Sequence, residues 1–170
     1  GLTVFPDLTL SFDVEREISI YALDSAMESD ERTIFLVTQR EISTAAPKED
    51  DLYSVGTICR ILQILKTSET SVRVIVEGQQ RARIHRLWQS KPFLQANVEL
   101  LEDQSWRASD RTEALTRRTY ALFGQYQELV GNLSDQLVAS VLDIRDPGEL
   151  ADTIAANINL RHQDRQRVLR

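Results

Sequence analysis

Apolar and polar residues alternate singly near the start of the chain and fall into a wider rhythm after residue 110. Leu8, Leu10, Phe12 and Val14 are separated by Thr9, Ser11 and Asp13, the period-two pattern of a half-buried strand. The β-branched and aromatic run Thr33-Ile34-Phe35-Leu36-Val37-Thr38 is short enough for a second strand. Thr57 to Leu65 and Val72 to Val76 predict two more, joined by the polar stretch Lys66-Thr67-Ser68-Glu69-Thr70-Ser71, which suits a hairpin connection. Ala82, Ile84 and Trp88, then Phe93 to Leu101, supply the remaining strands. One helix interrupts the series, because from Glu17 to about Ser29 the residues Ile20, Leu23, Ala26 and Met27 recur at three- and four-residue spacing. Several strands with one short helix predict a small, strongly bent sheet, closed or nearly closed into a barrel. Glu41 to Asp51, with Pro47 and three consecutive acids at its end, reads as an exposed loop.

Around Glu102 to Ser109 the pattern changes to helical periodicity, over Thr112 to Val130, Ser134 to Ile144, Pro147 to Ile158 and a last segment from about His162. Gly131 ends the first of these and Ser134 caps the next. Asp146, Pro147 and Glu149 form a capping-box start for the third. The fold class expected is α+β: a β-rich domain with one helix over 1–103, a junction at 104–109, and an α-helical bundle over 110–170 that ends in a truncated helix. Both chain ends read as cut from something longer, since the first residues lack an initiator methionine and the last helix has no terminator.

Composition narrows the function classes. With 170 residues and an apolar share of 42%, the chain can bury a real core. The net charge of −6 opposes nonspecific attraction to nucleic acid or anionic lipid. That acidic excess lies entirely within 1–103. No apolar run is long enough to span a membrane, and the one cysteine fits a cytoplasmic protein.

Catalytic signals are missing from the pattern. None of the glycines has phosphate-loop spacing, so no nucleotide is expected, and His85 and His162 have no second histidine at metal-ligand spacing. Cys59 sits in an apolar strand and reads as a packed thiol rather than a nucleophile. Glu49-Asp50-Asp51 lacks the alternation of a calcium loop. No catalytic residue, cofactor or metal is therefore expected. Two basic groups remain, Arg81, Arg83, His85 and Arg86 around one strand and Arg161, Arg165, Arg167 and Arg170 along the last helix. Both read as solvated faces that balance nearby acids.

The order of motifs carries a resemblance. Val4-Phe5-Pro6 precedes a strand, Arg16-Glu17 enters a helix, and Leu36-Val37-Thr38-Gln39 follows. Next come the stretch from Asp51 to Gln63, Val74-Ile75-Val76-Glu77-Gly78-Gln79-Gln80-Arg81-Ala82-Arg83-Ile84, Asp146-Pro147-Gly148-Glu149-Leu150-Ala151-Asp152, and Arg165-Gln166-Arg167. In this order they resemble the amino-terminal region of Lon-type ATP-dependent proteases over nearly the whole chain. Asp7 departs from the family, which often has glycine there, and Ser11 stands where proline is common.

The resemblance implies a pseudo-barrel β domain for substrate recognition, followed by helices leading toward ATPase and serine–lysine protease modules absent from this sequence. It further implies binding of unfolded, damaged or degron-bearing proteins and support of a hexameric ring. Candidates for that contact are Pro6, Leu8, Leu10 and Phe12, an apolar set in the amino-terminal segment of which alternation turns one face inward. An RNA-binding β-barrel and a freestanding adaptor of the same family are the alternatives. The first is disfavoured because the arginines around His85 lack clustered aromatics.

Overall fold

The computed structural model describes residues 2–89, 91–102 and 108–170. Among these residues five strands form one antiparallel sheet: β1 (Thr9–Val14), β2 (Thr33–Leu36), β3 (Val55–Lys66), β4 (Val72–Gln89) and β5 (Gln95–Leu100). Among the described residues five α-helices accompany them: α1 (Glu17–Met27), α2 (Asp110–Val130), α3 (Asp135–Asp143), α4 (Pro147–Asn157) and α5 (His162–Leu169). The chain is α+β, as its periodicities predict. The strands follow the path β1-β4-β3-β2, with β5 pairing the later half of β4.

β4 is the spine of this sheet. The sequence predicts separate strands around Val72–Val76 and Ala82–Trp88, whereas the structure runs them together as one strand of 18 residues. Its first half pairs β1, from Thr9 opposite Glu77 to Val14 opposite Val72, and its second half pairs β5. The strand passes its midpoint unbroken because residue 78 has no side chain. A Cβ built on Gly78 would lie 2.1 Å from the Phe5 carbonyl oxygen, so the amino-terminal segment can cross only at glycine. Asp7 N–H donates to the Gly78 carbonyl and Gly78 N–H to the Leu8 carbonyl, each at 2.9 Å. Asp7 turns the chain there with φ of 58°, a left-handed conformation that is uncommon for residues other than glycine and is tolerated best by asparagine and aspartate.

The strands close over a core of Val4, Leu23, Cys59, Ile61, Val74 and Val76. Leu10, Phe12, Ile34, Leu36, Ala26 and Met27 pack around it, so alternation along β1 does turn its apolar residues inward. Asp13 and Arg73 stand opposite each other on the outer face, joined by two hydrogen bonds of 2.8 Å. That pairing holds the Asp13 carboxyl below its usual range.

The helical unit keeps its own core, Phe123, Val141 and Leu150 with Tyr120, Leu137 and Ile154 around them. Its helix ends follow the expected chemistry. Ser134 Oγ accepts from Leu137 N–H, Asp146 Oδ1 accepts from Glu149 N–H with Pro147 at the first turn, and Gly131 closes α2 at φ of 63°.

The boundary differs from the expected one. Two compact units are present, Gly1–Asp103 with Leu160–Arg170, and Gln104–Asn159. The terminal helix thus belongs to the β-rich unit rather than to a bundle extending to 170. Gln166 is 2% exposed and its amide donates to the Val55 carbonyl at 2.7 Å, while Arg81 Nε donates to the Leu169 carbonyl at 3.0 Å. Leu169 is buried as well. The polar look of α5 concealed this, because only one narrow face of its short length is buried. The expected junction at 104–109 falls largely outside the described residues.

Two substitutions test this frame. Gly78→Ala should cost about 3 kcal/mol in urea unfolding, since a backbone carbonyl cannot yield as a side-chain tip would. Gln166→Ala should cost about 1–2 kcal/mol by leaving the Val55 carbonyl buried without its donor.

Candidate functional site

An open groove of about 880 Å³ runs between α1, β2 and the β4–β5 pair. Its walls follow from the sequence of each element. α1 carries Ile18, Ile20, Tyr21, Ala22, Leu23, Ala26 and Met27, more apolar surface than one core-facing stripe requires. Leu23 is buried in the core at the base of the groove, Ala26 packs on that core and borders the groove, and Ile18 and Ala22 line it. Arg16 fixes the start of this helix, donating to Gln39 Oε1 at 2.7 Å and to the Ile42 carbonyl at 3.2 Å.

β2 forms the floor. Phe35 is held there because a Cβ on Gly56 would meet its ring at 2.8 Å, so the ring lies directly on backbone. Ile61 N–H donates to the Arg32 carbonyl at 2.8 Å, which sets the pairing phase. Ile34 and Leu36 then turn their backbone groups toward β3, and those of Thr33 and Phe35 point away from it. Since β2 ends the strand path, its outer side has no strand partner among the described residues.

The far wall is Leu87, Trp88, Phe93, Leu94, Ala96 and Val98. Trp88 is 55% exposed although it is large and apolar. Charged groups on the lining are few, Asp13, Glu15 and Arg16, and Asp13 and Arg16 are already bonded as described. A second recess at the head of α1 shares Ile18, Pro47 and Leu94 with the groove, and adds Tyr21, Lys48 and Lys91. The Tyr21 hydroxyl donates to Glu17 Oε1 at 2.8 Å, and this bond raises its pKa. An apolar channel with few charges and exposed aromatics can hold apolar side chains without demanding one sequence.

Of the four residues singled out by sequence, Phe12 lines the groove. Pro6 is buried beside Gly78, and Leu10 is half-buried against the core. Leu8 is half-buried and, like Pro6 and Leu10, is not among the lining residues. Sequence reasoning missed α1, Phe35 and the Trp88–Phe93–Leu94 wall. The surplus of apolar residues around α1 was the available signal.

The groups weighed for chemistry sit elsewhere. Among the described residues no three of His, Cys, Asp or Glu are grouped to hold a metal. Glu49 Oε2 accepts from Leu87 N–H at 3.0 Å, and Glu49–Asp51 forms a single 3-10 turn. Arg81 is engaged with α5, which splits the basic set around His85. Cys59 is fully buried, and burial pushes its thiol up to about 12.

The comparisons with known proteins agree with this architecture. The whole chain, residues 1–170, matches the family described as the ATP-dependent protease La (LON) substrate-binding domain. A Lon protease of Clostridioides difficile is 39% identical over 99% of this chain and 22% of its own length. Lon protease 1 of Bacillus subtilis is 38% identical over 99% of this chain and 22% of its own. The solved N-terminal domain of Mycobacterium avium complex Lon protease shares the fold, with a TM-score of 0.76 at 24% identity, over 99% of this chain and 84% of that one. The chain belongs to the Lon substrate-binding domain family. It spans about a fifth of the length of the curated relatives it matches. No helix among the described residues is long and apolar enough to cross a membrane.

The buried thiol makes a pH prediction. Its folded pKa is raised to about 12 from 9.0, so the unfolded chain gives up this proton first as pH rises. Stability contributed by the neutral thiol is complete below pH 9 and is lost progressively toward pH 12. Urea midpoints should fall between pH 9 and 10.5, more steeply in the native sequence than in Cys59→Ala, and the native thiol should resist alkylation at pH 8.

Proposed function

We propose that this chain is a non-catalytic recognition module of a cytoplasmic ATP-dependent Lon protease, and that its groove receives extended apolar segments of unfolded, damaged or degron-bearing proteins. The observation that carries this reading is the groove itself, lined by the half-buried Ile18, Ala22, Phe35, Leu87 and Phe93 and the exposed Trp88, beside the edge of β2 that has no strand partner among the described residues. A folded protein buries such segments, so the groove discriminates by availability rather than by shape. An extended client can bond along the outer side of β2 while its alternate side chains enter the channel. Phe12 of β1 also lines this surface. In the parent protein the module also supports the hexameric ring, where several grooves held together raise the effective concentration for one client.

The RNA-binding alternative finds less support. Its basic strand face has Arg81 committed to α5, and the aromatic Trp88 belongs to an apolar wall rather than to that face.

Titrating the isotopically labelled chain with a carboxymethylated unfolded protein, its native form and a short RNA separates these readings. Shifts confined to α1, β2 and the β4–β5 wall, produced by the unfolded protein alone, are expected. Trp88→Ser with Phe93→Ser should weaken that binding about tenfold or more, and Trp88→Ser alone should change Tm little because Trp88 is already exposed. Shifts with RNA alone, or unchanged client binding by the double variant, would overturn the assignment.

A further inference from the structure

None of the groove's lining residues belongs to α5, yet this helix is fastened to the rung of the sheet on which the groove floor rests. Its two fastenings lie on neighbouring strands. Gln166 Nε2 donates to the Val55 carbonyl of β3, and Arg81 Nε of β4 donates to the Leu169 carbonyl at the end of the helix, where a carbonyl has no intrahelical partner. The register places Val55 opposite Arg83, Gly56 opposite Ala82 and Thr57 opposite Arg81. The two bonds therefore bracket the Gly56–Ala82 pair.

That pair carries the floor. A Cβ on Gly56 would come within 2.3 Å of the Leu36 carbonyl oxygen and 2.8 Å of the Phe35 ring, so β2 rests on bare backbone there. With no side chain as a cushion, a shift of the Val55–Gly56 backbone moves the ring with it. The far wall is tied to the same place. The Arg81 carbonyl accepts from Leu101 N–H at 2.9 Å just beyond β5, and Ile84, a lining residue, donates its N–H to the Ser54 carbonyl at 2.8 Å.

Gln166 is the exacting part of this attachment. It is buried, and its Oε1 has no hydrogen-bond partner among the described residues, so the donor to Val55 is what ties the amide down. An apolar residue would fill the site without stranding that oxygen, but it would not hold the Val55 carbonyl at a fixed distance and direction.

We propose that Gln166 is a positioning residue for the groove: its grip on the Val55 carbonyl sets the Val55–Gly56 backbone beneath Phe35, and with it the floor that a client's apolar side chain meets. This role rests on the groove being the client site. Linkage makes the effect reciprocal, so a client seated on Phe35 also tightens α5 on the sheet.

Gln166→Leu in the 170-residue chain removes the donor while keeping a buried side chain of similar bulk. With no client present, the carbon-13 ring resonances of Phe35 should shift in this variant, while those of Phe123 in the helical core stay in place. Affinity for the carboxymethylated unfolded protein should fall about fivefold or more. Val141→Ala, which opens a cavity in the helical core and lowers Tm, should leave that affinity unchanged. In the native chain, saturating client should slow amide hydrogen exchange along α5. An unmoved Phe35 ring, an equal loss of affinity in Val141→Ala, or exchange along α5 that the client leaves unaltered would overturn the positioning role. A native chain that takes no client would count against the groove reading instead, and the ring shift would still decide the part played by Gln166.

Discussion

The β-rich unit depends on a backbone-to-backbone crossing at Gly78. There the segment around Phe5 lies on β4 with no side chain between them, and hydrogen bonds from Asp7 and Gly78 lock the two together. The same segment is tied further along, where Thr57 Oγ1 donates to the Val4 carbonyl at 2.6 Å and Thr38 Oγ1 donates to the Leu2 carbonyl. These buried hydroxyls satisfy carbonyls that would otherwise be costly beneath the sheet. Because the crossing needs no break in β4, one strand serves two purposes. Val74 and Val76 build the core from its first half, and Leu87 and Trp88 build the groove wall from its second.

That division keeps the groove open while the core beside it is closed. α1 is shared between them, with Leu23 inward and Ile18 and Ala22 on the channel. Its position is set at one end by Arg16, whose guanidinium reaches both Gln39 and the Ile42 carbonyl. Apolar side chains exposed in this way are a standing cost to solubility, which the acidic excess over residues 1–103 offsets.

The strands and helix ends were legible in the sequence because each rests on local rules. Alternation marked β1, the polar hexamer marked the β3–β4 turn, and Ser134, Asp146 and Gly131 marked three helix ends. The groove was less legible, since it depends on which of two inward-looking directions a residue takes. Leu10 and Trp88 are both large, largely apolar residues on strands, yet one packs on the core and the other faces solvent. α5 misled for a different reason. Its attachment uses Gln166, a polar side chain buried for its hydrogen bond, and no apolar periodicity announces such a contact.

The return of α5 to the β-rich unit has a mechanical consequence. Residues 104–159 leave that unit and come back to it, so they form a side loop rather than a link in series. Tension applied at Arg170 passes first through Leu169 and Gln166 into β4 and β3, at Arg81 and Val55. The helical unit carries none of it until those contacts yield. A pull on the chain would therefore be felt in the sheet that walls the groove, while the helices remain slack.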